Sequence, residues 1–307
     1  MAQLLLHIGY HKTATTWLQN RLFVPEYGYT PLANHQQVDR EITRPHGLVF
    51  DPQIMRARIA KGIAQQEPDQ TPLISSEILS GHPFYGGRES DVYAHRLHAI
   101  APDARILITI RNQMRILPSV YMQYLSRGGV MPPAKFFEGT QEPGYNGFSP
   151  DHFAYHRLVG LYQTLFGAQN VHVMTQESLS RDRDATLSQL AEFAGNQRWQ
   201  GLNTAADKGG VGVSYPQGVA GVLRRINHWQ ASTLNPQPPI AIATTPGGLY
   251  RVAGYLARRG PLSGLFARAT PVSDYVLATF AGRFAESNRA LAAQVPGLDL
   301  TGYEGIG

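Results

Sequence analysis

Apolar residues in this chain gather into short unbroken runs, separated by longer stretches with helical spacing. Leu4 to Ile8 is one such run, ending at Gly9. It reads as a strand buried on both faces, since a strand with one wet face would alternate polar residues. From Thr15 the spacing turns helical and directs Leu18 and Leu22 at the sheet. Pro72 to Ser76 predicts a second strand leading into Glu77, Arg105 to Ile110 the clearest buried strand, and Asn170 to Met174 a further one. Between them lie helical patterns. One starts at Asp51-Pro52, with Asp as cap, Pro at the first helical position and Ile54, Ile59 and Ile63 as its inner side. Others run over 89–99, from Met114 to Leu125, with Pro118 predicting a kink or a late start, and over Asp184 to Phe193. A single helix is predicted from Val272 to Val295, with Tyr275, Val276, Phe280, Phe284 and Leu291 on its apolar face. Strands interleaved with helices predict an α/β fold, a three-layer sandwich around a central, mainly parallel sheet with a helical C-terminal region.

The 307 residues permit roughly three quarters of the chain's surface to be buried, so a single domain over 1–307 is expected. Residues 212–270 break the rhythm. Pro236, Pro238, Pro239, Pro246 and Gly247-Gly248 predict irregular elements over the mouth of the sheet, a lid or acceptor-side insertion within that domain. Without cysteine there are no disulfides, no thiolate catalysis and no Cys-ligated zinc, which fits a reducing compartment. The N-terminal apolar run is too short for a signal peptide or an anchor, and the expected location is cytoplasmic. A net charge of +5 would attract a polyanionic small molecule, but the arginines are scattered and no nucleic-acid motif is present. Sequence leaves the oligomeric state open.

Candidate chemistry starts at Gly9-Tyr10-His11-Lys12-Thr13-Ala14-Thr15-Thr16, where the first strand becomes a helix. Free N–H groups at a helix start bind anions, a lysine in the same turn adds a point charge, and adjacent hydroxyls add directional donors. The set suits a phosphate or phosphosulfate. GxxxxGK[ST] is not matched, because no Gly-Lys-Ser/Thr follows, so an ordinary ATP or GTP loop is disfavoured. A second cluster follows the strand at 105–110. Arg111 emerges at its C-terminal end, where ligands collect in open α/β sheets, and Ser119 lies eight residues on. A guanidinium fork with a nearby hydroxyl suits a terminal phosphate.

GYHKTATTWLQ resembles the 5′-phosphosulfate loop of sulfotransferases that use 3′-phosphoadenosine-5′-phosphosulfate (PAPS), whose Lys-Thr-Gly-Thr-Thr run is echoed by Lys12, Thr13, Thr15 and Thr16. Ala14 replaces the usual glycine, so either the turn avoids positive φ or an alanine at the helical start tolerates it. The resemblance implies that Lys12, Thr15 and Thr16 grip the 5′-phosphate and sulfuryl oxygens, with Gly9, His11, Thr13 and Ala14 in the same nucleotide loop. The segment from Arg111 to Tyr121 resembles the family's 3′-phosphate segment, Arg-Asn-Pro followed by Ser-x-Tyr, with Arg111 and Ser119 as the phosphate contacts. Gln113 stands where Pro is usual and Arg115 where Asp is common; Arg115 either adds charge to the site or faces solvent. Gln176-Glu177-Ser178-Leu179 is similar to the segment after the family's last central strand, and its content reads as structural. Lys208-Gly209 resembles, more weakly, the loop that closes over the adenosine and 3′-phosphate, and Phe284 to Tyr303 is similar to the closing helix of bacterial members. Together these imply a P-loop-like fold, PAPS as donor substrate, adenosine 3′,5′-bisphosphate as product and no metal requirement.

Sulfuryl transfer leaves little covalent work to the protein, so positioning and charge stabilisation carry the rate. Lys12 would neutralise charge on the leaving phosphate. For the base, Glu77, directly after the second strand, is preferred, and a family analogy to carbohydrate-type members supports it; Ser76 would orient it or simply end the strand. His82, in a turn near the mouth, competes, since the small-molecule branch uses histidine. His95, His98, His152, His156 and His172 share no metal spacing. Tyr121, Tyr124, Phe136, Phe137, Tyr145 and Phe148 line an acceptor pocket or belong to the core. Leu249 to Arg268 mixes arginines with apolar residues, and covering the site, holding an anionic carbohydrate or touching a membrane surface are all open to it. Family analogy favours a carbohydrate or glycan-like acceptor, with a lipid or small-molecule alcohol as the alternative. A P-loop-class nucleotide kinase and a non-catalytic bisphosphate-binding module are the competing functional classes.

Overall fold

The computed structural model describes residues 3–142, 145–203, 216–244 and 263–306. Five strands form its central sheet: β1 (Leu5–Gly9), β2 (Tyr29–Ala33), β3 (Thr71–Ser75), β4 (Arg105–Ile110) and β5 (Val171–Thr175). Their order is β2-β3-β1-β4-β5 and every pairing is parallel, so all five carboxyl ends lie along one edge. The predicted strands match within about a residue; β2 escaped sequence reading because its Tyr-Thr-Pro-Leu-Ala carries no apolar run.

Side chains alternate across the sheet. Leu6, Ile8, Ile74, Ile106 and Ile108 face a large core built with α1 (Pro52–Gln65), α2 (Ser90–Ile100), α3 (Gln113–Ser126), α4 (Tyr155–Phe166), α6 (Ala220–Asn227), α7 (Pro271–Phe280) and α8 (Ala285–Gln294). Leu5, Leu73, Leu107 and Met174 face a smaller core formed by Trp17, Leu18 and Leu22 together with α5 (Arg183–Ala194). Helices on both faces bury β1, β3, β4 and β5, which is why their sequences read as nearly unbroken apolar runs, while the edge strand β2 is only half-buried. Leu18 and Leu22 point inward as expected, though the helix at Thr15–Trp17 widens into a π-turn over Leu18–Leu22.

Several expectations need correction. Asp51 caps α1 through its carboxylate, accepting from Gln53 N at 2.8 Å, but Ile54 is exposed and Met55 takes its place inside. α3 starts at Gln113, capped by Asn112, and runs through Pro118 without a late start. The expected helix over 272–295 is two: α7 and α8 are separated by a turn in which Gly282 takes a φ of 76°, and the Glu304 carboxylate accepts from Gly282 N at 2.9 Å. In the irregular stretch, α6 is a well-formed helix with Leu223 and Asn227 buried. Of the two roles open to them, Tyr121, Tyr124, Phe136, Phe137 and Phe148 take the core one, buried and packed ring on ring. The side chain of Tyr145 lies outside the described residues.

One polar hub sits inside the sheet. His7, in the middle of β1 and fully buried, lies with Nδ1 2.7 Å from Ser75 Oγ and Nε2 3.1 Å from Thr109 Oγ1. Burial pushes its imidazole down to about 3, and does the same to the buried His152. Both are therefore neutral in the folded protein, while an unfolded histidine titrates near 6.5. Below that value the unfolded chain takes up protons that the native state declines, so stability falls as pH drops from about 6.5 toward 3. Each of the two should contribute up to about 1.4 kcal/mol per pH unit. Urea unfolding between pH 6 and 5 should show the midpoint falling, and His152→Phe should flatten the slope by up to one proton. A midpoint indifferent to pH across that interval would contradict the buried neutral state.

Candidate anion site at the carboxyl edge of the sheet

β1 and β4 are neighbours, with Gly9 in register with Thr109. The loop after Gly9 and the residue after Ile110 thus leave the sheet side by side, about 5 Å apart. Tyr10 N donates to Thr109 O at 2.9 Å and holds the two exits together.

The first loop is tight. Lys12 and Ala14 take φ of 69° and 71°, and among the described residues they are the non-glycine positions with positive φ. Ala14 therefore does not escape the left-handed turn: it stands one residue before the helix rather than inside it. Such a conformation costs an L-residue about 1–2 kcal/mol, and strain of this kind concentrates at ligand-binding turns. The loop is held from beneath. Thr13 is fully buried, and its hydroxyl donates to Tyr10 O at 2.6 Å with Thr109 Oγ1 2.7 Å away, so only the main chain of Thr13 is left for a ligand. Gly9 is required for a different reason: a Cβ there would sit 2.5 Å from Thr15 Oγ1 and 2.6 Å from Thr109 Oγ1. The His7–Ser75–Thr109–Thr13 hub went unread in the sequence; a histidine inside an otherwise apolar run was the available signal.

Above this base the polar groups are unspent. Thr15 is buried and its hydroxyl has no hydrogen-bond partner among the described residues, while Thr16 is exposed. Among the described residues Lys12 makes no ion pair. Burial first, and then the positive charge of Arg111, hold its ammonium below the ordinary lysine value. The influence runs one way, because lysine has lost its proton before a guanidinium titrates. Two half-buried cations thus stand on adjacent loops, near enough for the lysine to feel the charge of the guanidinium.

Arg111 is placed by its neighbours. Its Nη1 donates to Ser119 Oγ at 3.1 Å, and Tyr155 OH donates to its carbonyl at 2.6 Å. Burial lowers its pKa, with Glu177 and Arg115 acting in opposite directions. Arg115 is exposed yet near enough to add its charge to the site. Glu177 does not pair with Arg111: its Oε1 accepts from Asn112 N at 3.2 Å and its Oε2 from Tyr303 OH at 3.0 Å. Asn112 Nδ2 donates to Gly302 O at 2.6 Å, so the C-terminal tail is pinned to the base of this loop. Gln113 is a tie to α8, donating to Asn288 Oδ1 at 2.8 Å. Arg111, Arg115, Gln176, Glu177, Ser180, Arg181 and Thr301 enclose an open cavity of about 550 Å³.

The two base candidates stand on the other side of β1. Glu77 opens a short 3₁₀ turn after β3 and is half-buried; Ser80 of that turn donates to Gly9 O at 3.2 Å. Ser76 does not orient Glu77, because its hydroxyl lies 3.0 Å from His35 Nδ1. His82 packs its ring 5.3 Å from that of His11, and burial with the charge of Arg127 pushes it down to about 4, so it is neutral at physiological pH. His11 is buried inside the loop, with Nε2 unpartnered and its pKa well below normal through burial and the neighbouring imidazoles. Two further histidines make packing contacts: His156 Nδ1 meets Ser287 Oγ at 2.7 Å and His172 stacks on Phe193. Lys208 and Gly209 lie outside the described residues, as do 212–215 and 245–262 of the expected lid over 212–270.

No family model matches the chain, and no curated protein matches it. Solved structures similar to it include a sulfotransferase from Alicyclobacillus acidocaldarius, 17% identical over 66% of this chain and 84% of that one, with a TM-score of 0.43. The sulfotransferase domain from the curacin biosynthetic pathway is 12% identical, over 68% and 81% of the two chains, at 0.42. Mouse sulfotransferase SULT7A1 complexed with PAP is 13% identical, over 96% and 84%, at 0.41. The chemistry of the present chain is read from its own residues.

The strained turn is directly testable. Ala14→Gly should hold stability within about 1 kcal/mol, because lost strain offsets lost methyl burial. Ala14→Val, with branching at a left-handed position, should cost at least about 2 kcal/mol in urea unfolding.

Proposed function

We propose that this chain is a PAPS-dependent sulfotransferase. The observation that carries the reading is the meeting of Lys12 and Arg111: two half-buried cations on adjoining loops, with neither paired to a carboxylate among the described residues. Holding like charges together out of water is unfavourable unless an anion joins them. A ligand with one phosphate at each loop, the shape of a nucleoside 3′,5′-bisphosphate, satisfies both. The unpartnered Thr15 hydroxyl and the hydroxyl of Thr16 then serve oxygens at the Lys12 end, and Ser119 serves those at the Arg111 end.

In the reaction, the acceptor oxygen attacks sulfur and the bond from sulfur to the bridging phosphate oxygen breaks. The acceptor's proton passes to a base, and adenosine 3′,5′-bisphosphate leaves. Lys12 stabilises the charge that develops on the leaving oxygen, a contribution commonly of about 3–4 kcal/mol. We assign the base to Glu77, whose turn is fastened to the end of β1 by Ser80. His82 is the second reading, favoured by its contact with His11 and its neutral ring, although a pKa near 4 makes it a weak base at pH 7. The acceptor is a hydroxyl or amine, with a glycan favoured. Lys208 and Gly209 complete the 3′-phosphate contacts in this proposal.

Calorimetric titration with adenosine 3′,5′-bisphosphate, ATP and GTP should show preference for the bisphosphate. Arg111→Ala should lower that affinity by about 10–100-fold and erase the preference, matching the loss of a charged hydrogen bond. Lys12→Ala should reduce sulfuryl transfer about 100- to 1,000-fold. Magnesium-dependent ATP turnover would instead favour a kinase, and tight bisphosphate binding without transfer to any acceptor a binding module.

For the base, Glu77→Gln should cut kcat at least about 100-fold while bisphosphate affinity stays unchanged. His82→Ala should do much less. The reverse ranking would move the role to His82.

A further inference from the structure

The segment after the site carries the charge of the whole protein. From Lys208 to Ser273 there are seven lysines and arginines and no Asp or Glu, while the chain as a whole is only +5. Everything outside that segment is therefore net negative.

Its described part also exposes a concentrated apolar surface. Trp229 is 45% exposed, Ile240 58%, Ile242 60% and Val222 39%. Trp229 and Ile242 adjoin: Ile242 N donates to Trp229 O at 2.9 Å, and Arg225, Ile226, Trp229 and Ile242 line an open depression of about 380 Å³, with Val222 two turns back on the same helical stretch and Ile240 two residues before Ile242. Isolated exposed apolar residues are ordinary, whereas a cluster rimmed by cations is not.

The platform is firmly mounted. The inner face of α6 buries Ala220, Leu223 and Asn227. Asn227 Nδ2 donates to both Leu125 O and Gly129 O at 2.8 Å, at the end of α3, and Asn235 Nδ2 donates to Asn227 O at 2.9 Å. With the inner face anchored, Val222, Arg225 and Trp229 are turned outward beside the exposed His228. An indole among aliphatic side chains, with the Arg225 guanidinium beside it in a segment whose sequence holds no carboxylate, is the chemistry of an interfacial membrane contact.

We propose that the surface formed by Val222, Arg225, Trp229, Ile240 and Ile242 docks the protein peripherally on an anionic lipid bilayer. The indole and isoleucines enter the headgroup boundary, and Arg225 beside them neutralises lipid phosphate. No helix among the described residues is long and apolar enough to cross a membrane, so the contact is a surface one. A membrane contact was one of three roles open to 249–268, most of which lies outside the described residues; the surface proposed here is a different one, at 222–242. The docking does not depend on the sulfotransferase reading.

Co-sedimentation with vesicles tests it. Binding to phosphatidylcholine vesicles containing roughly a third phosphatidylglycerol should exceed binding to pure phosphatidylcholine by at least about tenfold, and should weaken as salt rises. Trp229→Ala, Ile242→Ser and Arg225→Ala should each lower it several-fold. Leu48→Ser, at an exposed apolar residue elsewhere, should change nothing. Brominated lipids should quench wild-type tryptophan emission but not that of Trp229→Phe. Unchanged near-UV circular dichroism in the variants would show that the fold is intact. Equal binding to neutral and anionic vesicles would overturn the proposal, as would quenching that survives Trp229→Phe. So would a concentration-dependent dimer that Trp229→Ala abolishes, with no vesicle binding by the wild type.

Discussion

The parallel pairing of β1 with β4 is the constraint on which the rest of the molecule depends. Because Gly9 lies beside Thr109, the two chain exits stand one strand spacing apart at the same height. Whatever side chains follow those exits must share one volume of space. Here they are Lys12 and Arg111, and the charge of one is felt by the other. A fold that separated the two strands by another would let each cation find water or a carboxylate of its own. The open α/β sheet instead brings them together at the edge where such sheets bind ligands.

Maintaining that arrangement has a structural cost, and the protein offsets it beneath the loop. Two L-residues with positive φ sit in five residues of chain, and a neutral histidine is buried in the middle of the central strand. Thr13, Thr109, Ser75 and His7 form a chain of hydrogen bonds that turns the polar atoms of the loop's floor inward. The consequence is selective. Hydroxyls needed for the floor are consumed, and Thr15 is left with an oxygen that nothing among the described residues satisfies. On the Arg111 side the same logic operates through Glu177, which spends its oxygens on Asn112 and Tyr303 and leaves the guanidinium to Ser119.

The sheet and both loops were legible in the sequence because buried parallel strands impose continuous apolar runs, and because a helix start after such a run announces itself by its hydroxyls and lysine. Arg105–Ile110 and the Arg111–Ser119 spacing could be read directly. What failed did so for physical reasons. β2 is an edge strand interrupted by Pro31, so its pattern is weak. The break between α7 and α8 is set by Glu304, distant in sequence, which no local periodicity contains. The aromatic residues from Tyr121 to Phe148 have the composition of either a pocket or a core, and only their mutual packing decides for the core. His7 was invisible as a hub because its partners come from two other strands.

The most direct test of a shared anion site is a crystal structure with adenosine 3′,5′-bisphosphate bound. The 5′-phosphate should lie against the Lys12 ammonium and the Thr15 and Thr16 hydroxyls, with the 3′-phosphate on Arg111 and Ser119. A bound nucleotide that left either cation without a phosphate would contradict the account.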